Sequence, residues 1–368
     1  MTTITLFLCG DVMTGRGIDQ VLPHPGDPQL HERYVKTAEA YVELAEEANG
    51  PVPRPVPFAY PWGEALAVLA AENPDLRLAN LETAVTQSQE WWPGKGIHYR
   101  MSPRNAPCLA AAGLQACTLA NNHLLDWGRG GLTETLAVLH RLGIATAGAG
   151  ANARQAQAPA VLPVPGKGRV LLFAAGTGSS GIPPDWEATA GRAGVYRLSE
   201  LSMGTLRRLS EQVAAVRKPG DIAVVSLHWG GNWGYAIPPE HQAFARGLVE
   251  AGVDLVHGHS AHHLQGIEVY RGKLILYGCG DFLTDYEGIS GHQAFRSDLG
   301  LMYFPQLAVA DGRLLGLRLI PTRMRRLQLQ RASAQEAAWL RQVLNREGER
   351  LQTRVEEEPG GALRLRWS

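Results

Sequence analysis

Short apolar runs alternate with longer amphipathic segments from residue 3 to about residue 320. The short runs are rich in Val, Leu and Ile, and several end at Gly, Asp or Asn, which is typical of buried β-strands. The longer segments carry apolar residues at helical spacing, and glycines 143 and 252 stand where C-terminal caps are expected. We predict strands at 4–8, 75–80, 116–120, 170–175, 222–227, 254–256 and 273–277, and helices at 63–72, 131–142, 204–216 and 239–251.

This alternation predicts the α/β class, with a sheet core covered by helices. Residues 299–331 lack a helical pattern and predict an antiparallel meander with a turn at Asp311-Gly312. We predict one domain over residues 1–332 and a C-terminal helix-strand appendage over residues 333–368, with its helix at 334–351 and its strand at 362–367.

One stretch of the domain breaks the alternation. Residues 22–62 hold eight prolines among polar and small residues, and a single helical patch at residues 33–48. We interpret this stretch as an insertion that could form a lid over a site.

Charge and composition exclude several classes of protein. Lys+Arg and Asp+Glu number 35 each, and this zero net charge argues against a nucleic-acid surface. No apolar run approaches the ~20 residues that span a bilayer, and the first run lacks the basic start of a signal peptide. The four cysteines show no Cys-x-x-Cys spacing and favour buried free thiols in a reducing compartment. We therefore expect a cytoplasmic protein that binds neither nucleic acid nor membrane.

Polar residues stand where five of the predicted strands stop. Because ligands bind at the carboxyl ends of strands in α/β sheets, these residues are expected to converge. Singly, each has an ordinary structural explanation, such as capping of the next helix by Asn122. Four histidines between residues 257 and 263 are harder to explain without a metal. The five strand ends are Cys9-Gly10-Asp11, Asn80-Leu81-Glu82, Asn121-Asn122-His123, His228-Trp229-Gly230 and the run from His257 to His263.

The ligand types indicate which metal would bind. Carboxylate, amide and imidazole groups without thiolate favour Mn, Fe or Zn, and about six ligands suffice for two ions that share a carboxylate. Two such ions generate hydroxide near neutral pH and hold a phosphoryl group, while a nearby histidine protonates the leaving alkoxide. The sequence contains neither His-Glu-x-x-His nor Gly-x-Ser-x-Gly, so zincin and serine hydrolase chemistry lack their motifs.

In this order the motifs resemble those of the poly-γ-glutamate capsule-synthesis (CapA-like) proteins, a family related to calcineurin-like metallophosphoesterases. The resemblance covers residues 3–321. Its motifs are Gly10-Asp11-Val12-Met13, Asn80-Leu81-Glu82, Ala120-Asn121-Asn122-His123 with Asp126-Trp127-Gly128, His228-Trp229-Gly230, and the segment from Gly258-His259 to Glu268.

The resemblance implies a four-layer α/β/β/α sandwich of the metallophosphoesterase type with two divalent metal ions (Mn, Fe or Zn). Asp11 would bind the first metal, Glu82 would stand at the bridging position, and Asn122 would bind the second metal. His123 would be the general acid, with Asp126 as a further catalytic candidate. His228 would supply one imidazole, and His257 or His259 another, because Ser260 stands where the family has its first histidine.

The predicted substrate contacts are His262, Arg100, Trp229 and Asp281, of which Asp281 stands where the family often has Asn. We predict a metal-dependent hydrolase of a phosphate mono- or diester, in a small molecule or a polymer. The alternative is an accessory protein of poly-γ-glutamate capsule biosynthesis that binds polymer without phosphoesterase activity. Metal-assisted amide hydrolysis is a third hypothesis. The sequence leaves the oligomeric state open.

Overall fold

The computed structural model describes residues 2–368, which form a mixed α/β fold with several sheets. The strands are β1 Thr3–Phe7, β2 Asp11–Val12, β3 Leu76–Leu81, β4 Ala84–Val85, β5 Arg100–Met101, β6 Ala116–Thr118, β7 Ala145–Ala147, β8 Ala149–Gly150, β9 Ala160–Val164, β10 Gly168–Thr177, β11 Gly194–Val195, β12 Arg197–Leu198, β13 Asp221–His228, β14 Leu255–His259, β15 Ile267–Tyr270, β16 Lys273–Leu276, β17 Asp281–Leu283, β18 Leu299–Ala308, β19 Leu314–Met324, β20 Leu329–Arg331, β21 Thr353–Glu358 and β22 Ala362–Trp367. The α-helices are α1 Arg16–Val21, α2 Glu39–Asn49, α3 Ala65–Glu72, α4 Pro107–Ala111, α5 Gly128–Arg141, α6 Ala153–Gln157, α7 Met203–Val216, α8 Pro239–Glu250 and α9 Ala334–Gly348.

The fold is built on two large β-sheets. The larger follows the order β17-β2-β3-β1-β18-β19-β22-β21, with β6 and β7 continuing from β3 and with β20 beside β19. The smaller follows β12-β10-β13-β14-β16-β15, with β9 beside β10. In the smaller sheet β10, β13, β14 and β16 are parallel, so the carboxyl ends of β13 and β14 lie side by side.

Buried apolar side chains show how the sheets and helices pack. One cluster joins residues of both sheets, such as Leu6 of β1 and Val224 of β13. A second lies between the larger sheet and helices that include α5. A third lies between the smaller sheet and α7 and α8, where Leu209 and Phe244 pack with Val225. Alternate residues of a strand face opposite sides of its sheet, so β1 supplies Leu6 to the first cluster and Phe7 to the second.

The predicted strands and the four principal helices are confirmed, with boundaries that differ by a few residues. The helix of the insertion begins at Glu39, not at residue 33, and β21 was not predicted. Four of the six residues of β21 are charged, so the strand lacks an apolar run, although Thr353 and Val355 alternate inward. β22 pairs with β19 and extends the larger sheet. The domain boundary at residue 332 stays a prediction.

The cysteines and the helices show two further features of the chain. All four cysteines are free and buried. Among residues 2–368, no helix combines the length and apolar character needed to cross a bilayer.

Candidate metal centre

Two Gly-Asp segments from distant parts of the chain run side by side at the centre of the site. β2 and β17 are parallel, with Asp11 opposite Asp281. The backbone N–H of Asp11 donates to the carbonyl of Gly280 at 2.9 Å. A Cβ atom on Gly10 would lie 1.8 Å from that carbonyl oxygen, so only glycine permits this approach. The close backbone contact places two buried carboxylates together.

Two groups of possible ligand atoms meet in this region, and Asp11 belongs to both. The first group contains Asp11, His228 and His259, and the second contains Asp11, Glu82 and Asp281. Within each group the ligand atoms lie within 4.8 Å of one another, and every residue is buried. A carboxylate shared between two such groups is placed where it would bridge two metal ions, if both were bound.

The Asp11 carboxylate is held from two sides. Asn80 Nδ2 donates to Asp11 Oδ1 at 2.7 Å, and the backbone N–H of Ser260 donates to Oδ2 at 3.1 Å. The Asn80 Oδ1 atom accepts in turn from Thr118 and Asn121, which fixes its amide. Ser260 adopts φ 106°, a conformation that a residue with a side chain rarely takes. Such strain concentrates at functional sites, and here it directs an N–H group at the carboxylate.

The buried carboxylates lack enough protein donors. Glu82 Oε2 has no hydrogen-bond partner among residues 2–368. Burial, reinforced by Asp11 and Asp281, raises the pKa of Glu82 well above its usual value. Burial, followed by the charge of Asp281, raises the pKa of Asp11 to about 7. Three carboxylates with an unpartnered oxygen fit a divalent cation, because a cation would neutralise their repulsion and fill the missing contacts.

The two imidazoles of the first group face each other. His228 Nδ1 and His259 Nδ1 lie 2.8 Å apart, and His228 Nε2 lies 2.8 Å from Asn122 Oδ1 and 3.6 Å from Glu82 Oε1. Burial lowers the pKa of both histidines well below the ordinary value, so both are neutral and able to ligate a metal. Parallel pairing of β13 and β14 sets this contact, since His228 is opposite His259.

His123 and Asp126 form a dyad beside the second group. Asp126 Oδ2 lies 2.6 Å from His123 Nδ1 and also accepts from the backbone N–H of Tyr99 at 2.6 Å. Lys95 Nζ forms an ion pair with Asp126 Oδ1 and lies 3.0 Å from His123 Nδ1. His123 Nε2 lies 4.0 Å from Glu82 Oε1, so this nitrogen faces the carboxylates. Burial, and then the charge of Lys95, lowers the pKa of His123 well below its usual value.

His262 links the carboxylates to a cavity. His262 Nδ1 lies 3.0 Å from Asp281 Oδ1. Burial opposes the charged form of His262, but Asp281 outweighs it and the pKa of His262 is raised. The cavity has a volume of about 700 Å³, enough for a small-molecule ligand. Its wall next to the site is formed by Arg16, Tyr41, Tyr99, Trp233, His262 and Tyr286.

His257, a predicted metal ligand, is not brought into either group. Its Nε2 donates to the carbonyl of Cys9 at 2.8 Å, and its Nδ1 lies 3.1 Å from Ser226 Oγ. Both ring nitrogens therefore have protein partners, and burial lowers its pKa to about 4. The sequence left open whether His257 or His259 supplies the imidazole ligand, and the structure places His259 in the group with Asp11.

Two predicted substrate contacts also lie apart from the carboxylates. Arg100 donates to the backbone carbonyls of Ser88 and Asp27, and its guanidinium lies 3.7 Å from the ring centroid of Trp127. Trp229 donates to the carbonyl of Tyr277 and packs in the cluster between the smaller sheet and its helices. Asp281, predicted to contact substrate, lies among the carboxylates.

Sequence reasoning missed Lys95 and Ser226. Lys95 lies in a Gly-Lys-Gly loop without a regular pattern, so no signal marked it. Ser226 did have a signal, because Ser-x-His and His-x-His on adjacent strands each place two polar residues on one face.

Comparisons with known proteins agree with the motifs. The family described as bacterial capsule synthesis protein PGA_cap matches residues 5–286. Proteins named "Probable polyglutamine synthesis accessory protein" from two Mycobacterium tuberculosis strains are 48% identical over 98% of this chain and 96% of their own length. "Capsule biosynthesis protein CapA" of Bacillus anthracis is 25% identical over 77% of this chain and 60% of its own length. A solved structure, that of TT1561 from Thermus thermophilus, covers 85% of this chain and 97% of that chain at 10% identity, but its TM-score of 0.37 is too low to decide the fold.

Proposed function

The chain belongs to the PGA_cap family of bacterial capsule synthesis proteins, and we propose that it is a two-metal hydrolase of a phosphate mono- or diester. The observation that carries the proposal is the double membership of Asp11. One buried carboxylate belongs both to the group with His228 and His259 and to the group with Glu82 and Asp281. Asp11 rather than Glu82 is then the candidate bridging ligand, and Asp281 joins the second group.

Two bound divalent ions, Mn, Fe or Zn, would supply hydroxide near neutral pH and neutralise the phosphoryl oxygens. The protein's part is to hold its ligands in place. Asn80 and Ser260 orient the Asp11 carboxylate, and Asn122 Oδ1, beside His228 Nε2, would be a further oxygen ligand. The aromatic wall of the cavity would bind the part of the substrate that does not react.

His123 is the proposed general acid. Asp126 accepts from Nδ1 of His123, which leaves Nε2 directed at the carboxylate region where the leaving oxygen would lie. A bound phosphate dianion would favour the protonated imidazole, which can then give its Nε2 proton to the leaving alkoxide. Lys95 and Tyr99 hold Asp126, so they position the acid without touching the substrate.

The test is hydrolysis of 4-nitrophenyl phosphate and bis-(4-nitrophenyl) phosphate by protein reconstituted with Mn²⁺. We expect turnover of at least one ester and loss of turnover after chelation. Glu90→Gln serves as a control, because Glu90 is an exposed carboxylate outside both ligand groups. Less than one equivalent of metal after reconstitution would refute the metal centre. Metal binding without turnover of either ester would refute the phosphoesterase activity.

An accessory role in polymer synthesis is the second candidate, because two relatives carry the name "Probable polyglutamine synthesis accessory protein". This role predicts binding of poly-γ-glutamate that survives Asp11→Asn. Fluorescence anisotropy with labelled polymer would measure it. Binding that disappears with Asp11→Asn, or no binding at all, would contradict a polymer role independent of the metal centre.

We also propose the finer architecture. The two sheets with a shared cluster between them, and helices on their outer faces, support a four-layer α/β/β/α sandwich of the metallophosphoesterase type. Residues 333–368 would be an appendage of that sandwich, although β22 hydrogen-bonds to β19. A cytoplasmic location stays a prediction from composition.

A further inference from the structure

Two tyrosine hydroxyls from distant parts of the chain meet on the wall of the cavity. The Oη atoms of Tyr99 and Tyr286 lie 2.5 Å apart, and both residues line the cavity of about 700 Å³. The ring of Tyr99 stacks on His123. The ring of Tyr286 meets His262 edge-on, with centroids 5.5 Å apart. The tyrosine pair therefore connects the two histidines that flank the second ligand group.

The tyrosine pair has one hydroxyl proton more than its internal contact uses. Each phenol carries one O–H group, and a single O–H fills the contact between the two oxygens. Among residues 2–368, neither hydroxyl makes another hydrogen bond with the protein. Whichever tyrosine donates to the other, the second O–H is left without a protein acceptor. A donor of this kind on a cavity wall is available to a ligand.

The two tyrosines differ in how firmly the protein holds them. Tyr99 is buried, and it is fixed by the stack on His123 and by the hydrogen bond from its backbone N–H to Asp126. Tyr286 is only partly buried and lies in the loop of residues 284–298 between β17 and β18. If the firmly held Tyr99 hydroxyl donates to Tyr286, the more exposed Tyr286 hydroxyl is the one that meets the ligand.

The other cation on this wall already has acidic partners. The Arg16 guanidinium lies 4.7 Å from the ring centroid of Tyr99 and 5.7 Å from that of Tyr286. It donates to both carboxylate oxygens of Asp285 and to Glu32. With two carboxylates around one cation, Arg16 brings no net positive charge to an anion. Bound metal ions would therefore attract an anion into the cavity, and the tyrosine pair would orient it.

We propose that Tyr286, oriented by Tyr99, donates a hydrogen bond from its hydroxyl to a phosphoryl oxygen held at the candidate metal centre. The identity of this ligand rests on the proposed function, because bound metal ions would hold the phosphate. Burial raises the pKa of Tyr286 well above the ordinary value of a phenol, so the hydroxyl stays a donor at neutral pH. Hydrogen bonds to an ionised acceptor are roughly twice as strong as neutral ones. Tyr286 thus selects ligands that present an anionic oxygen at this position.

Calorimetric titration of the dialysed, Mn²⁺-loaded protein with inorganic phosphate tests the proposal without requiring turnover. Tyr286→Phe should weaken phosphate binding by about 10–100-fold, because a hydrogen bond to a charged group is lost. Tyr99→Phe keeps the ring on His123 and the hydroxyl of Tyr286, so it should weaken binding by a smaller factor. Tyr270→Phe is the control and should not change the affinity, because that hydroxyl, on β15, donates to Glu250.

Four outcomes separate this inference from the proposed function. Equal phosphate affinity in Tyr286→Phe and wild type, or a larger loss in Tyr99→Phe than in Tyr286→Phe, would overturn the inference. Loss of Mn²⁺ from Tyr286→Phe, determined on the same sample, would assign the hydroxyl to metal binding and overturn it as well. So would absence of phosphate binding in the wild type. A wild type that binds phosphate through Tyr286 but hydrolyses neither ester would refute the phosphoesterase activity and support the inference.

Discussion

The ring of Tyr99 stacks on the ring of His123, with centroids 3.7 Å apart and planes inclined by 21°. The same residue donates its backbone N–H to Asp126, the carboxylate that holds His123 Nδ1. Tyr99 therefore fixes both members of the dyad, one by its ring and one by its backbone. This arrangement holds the Nε2 atom of the proposed general acid in one place, and proton transfer depends on that geometry.

His123→Gln should lower kcat for an aryl phosphate ester by about two to four orders of magnitude, because the leaving oxygen loses its proton donor. The measurement is steady-state hydrolysis by the Mn²⁺ protein, with metal content determined on the same sample. His140→Gln is the matched control, since His140 is exposed on α5. Loss of metal in parallel with activity would assign His123 to metal binding instead.

Single substitutions should separate the two metals. Asp281→Asn should remove one equivalent by weakening the group with Glu82, and His259→Gln should remove the other by weakening the group with His228. Asp11→Asn should remove both, since its carboxylate belongs to both groups. Elemental analysis after dialysis gives the stoichiometry. Two equivalents retained in Asp11→Asn would show that another residue bridges.

Arg16→Ala should lower the free energy of unfolding by about 3–5 kcal/mol, the usual cost of removing one partner from a buried ion pair. The buried Arg16 guanidinium pairs with Asp285 at 2.5 Å and with Glu32 of the insertion at 3.1 Å. Its loss should also loosen residues 22–62, detectable as faster proteolysis there. Urea denaturation measures the first effect, and the exposed Arg33 provides the control Arg33→Ala, expected within about 0.5 kcal/mol of wild type. A similar change in both variants would contradict a structural role for the pair.

The metal-free protein should lose stability as pH rises through the range in which Asp11 ionises. The pKa of Asp11 is raised to about 7, while an unfolded aspartate has a pKa of about 3.9. Between these values the folded protein holds a proton that the unfolded chain has released. The contribution of Asp11 to the free energy of unfolding is therefore full below about pH 4 and is lost by about pH 7. Asp11→Asn cannot ionise and should therefore gain stability relative to wild type between about pH 5 and pH 8.

Urea denaturation of wild-type and Asp11→Asn protein, both freed of metal by a chelator, is measured at about pH 5 and about pH 8. The difference in the free energy of unfolding between the two proteins should change by at most about 1.4 kcal/mol per pH unit. An identical difference at the two pH values would show that Asp11 ionises normally. Metal should reverse the trend, because a bound cation favours the ionised carboxylate.

The sequence by itself determined the class of fold and the polar residues that stand at the strand ends. Apolar periodicity predicted the strands and helices. It also located the ends of the strands, where we find Asp11, Glu82, Asn122 and His228. The sequence did not predict β21, the edge strand that precedes β22, because most of its residues are charged and form no apolar run.

Only the tertiary structure decided which residues meet. His257 and His259 point to the same face of β14, but two residues along a strand are separated by about 6.6 Å, so only one can reach Asp11. The pairing of β14 with β13 places His259 beside His228, and the carbonyl of Cys9 holds His257 away from Asp11. Asp281 reaches the carboxylates through the close approach of the Gly280 and Asp11 backbones. Lys95 reaches Asp126 from an irregular loop. No local sequence pattern predicts either contact. Such contacts depend on register and packing between segments that lie far apart in the chain.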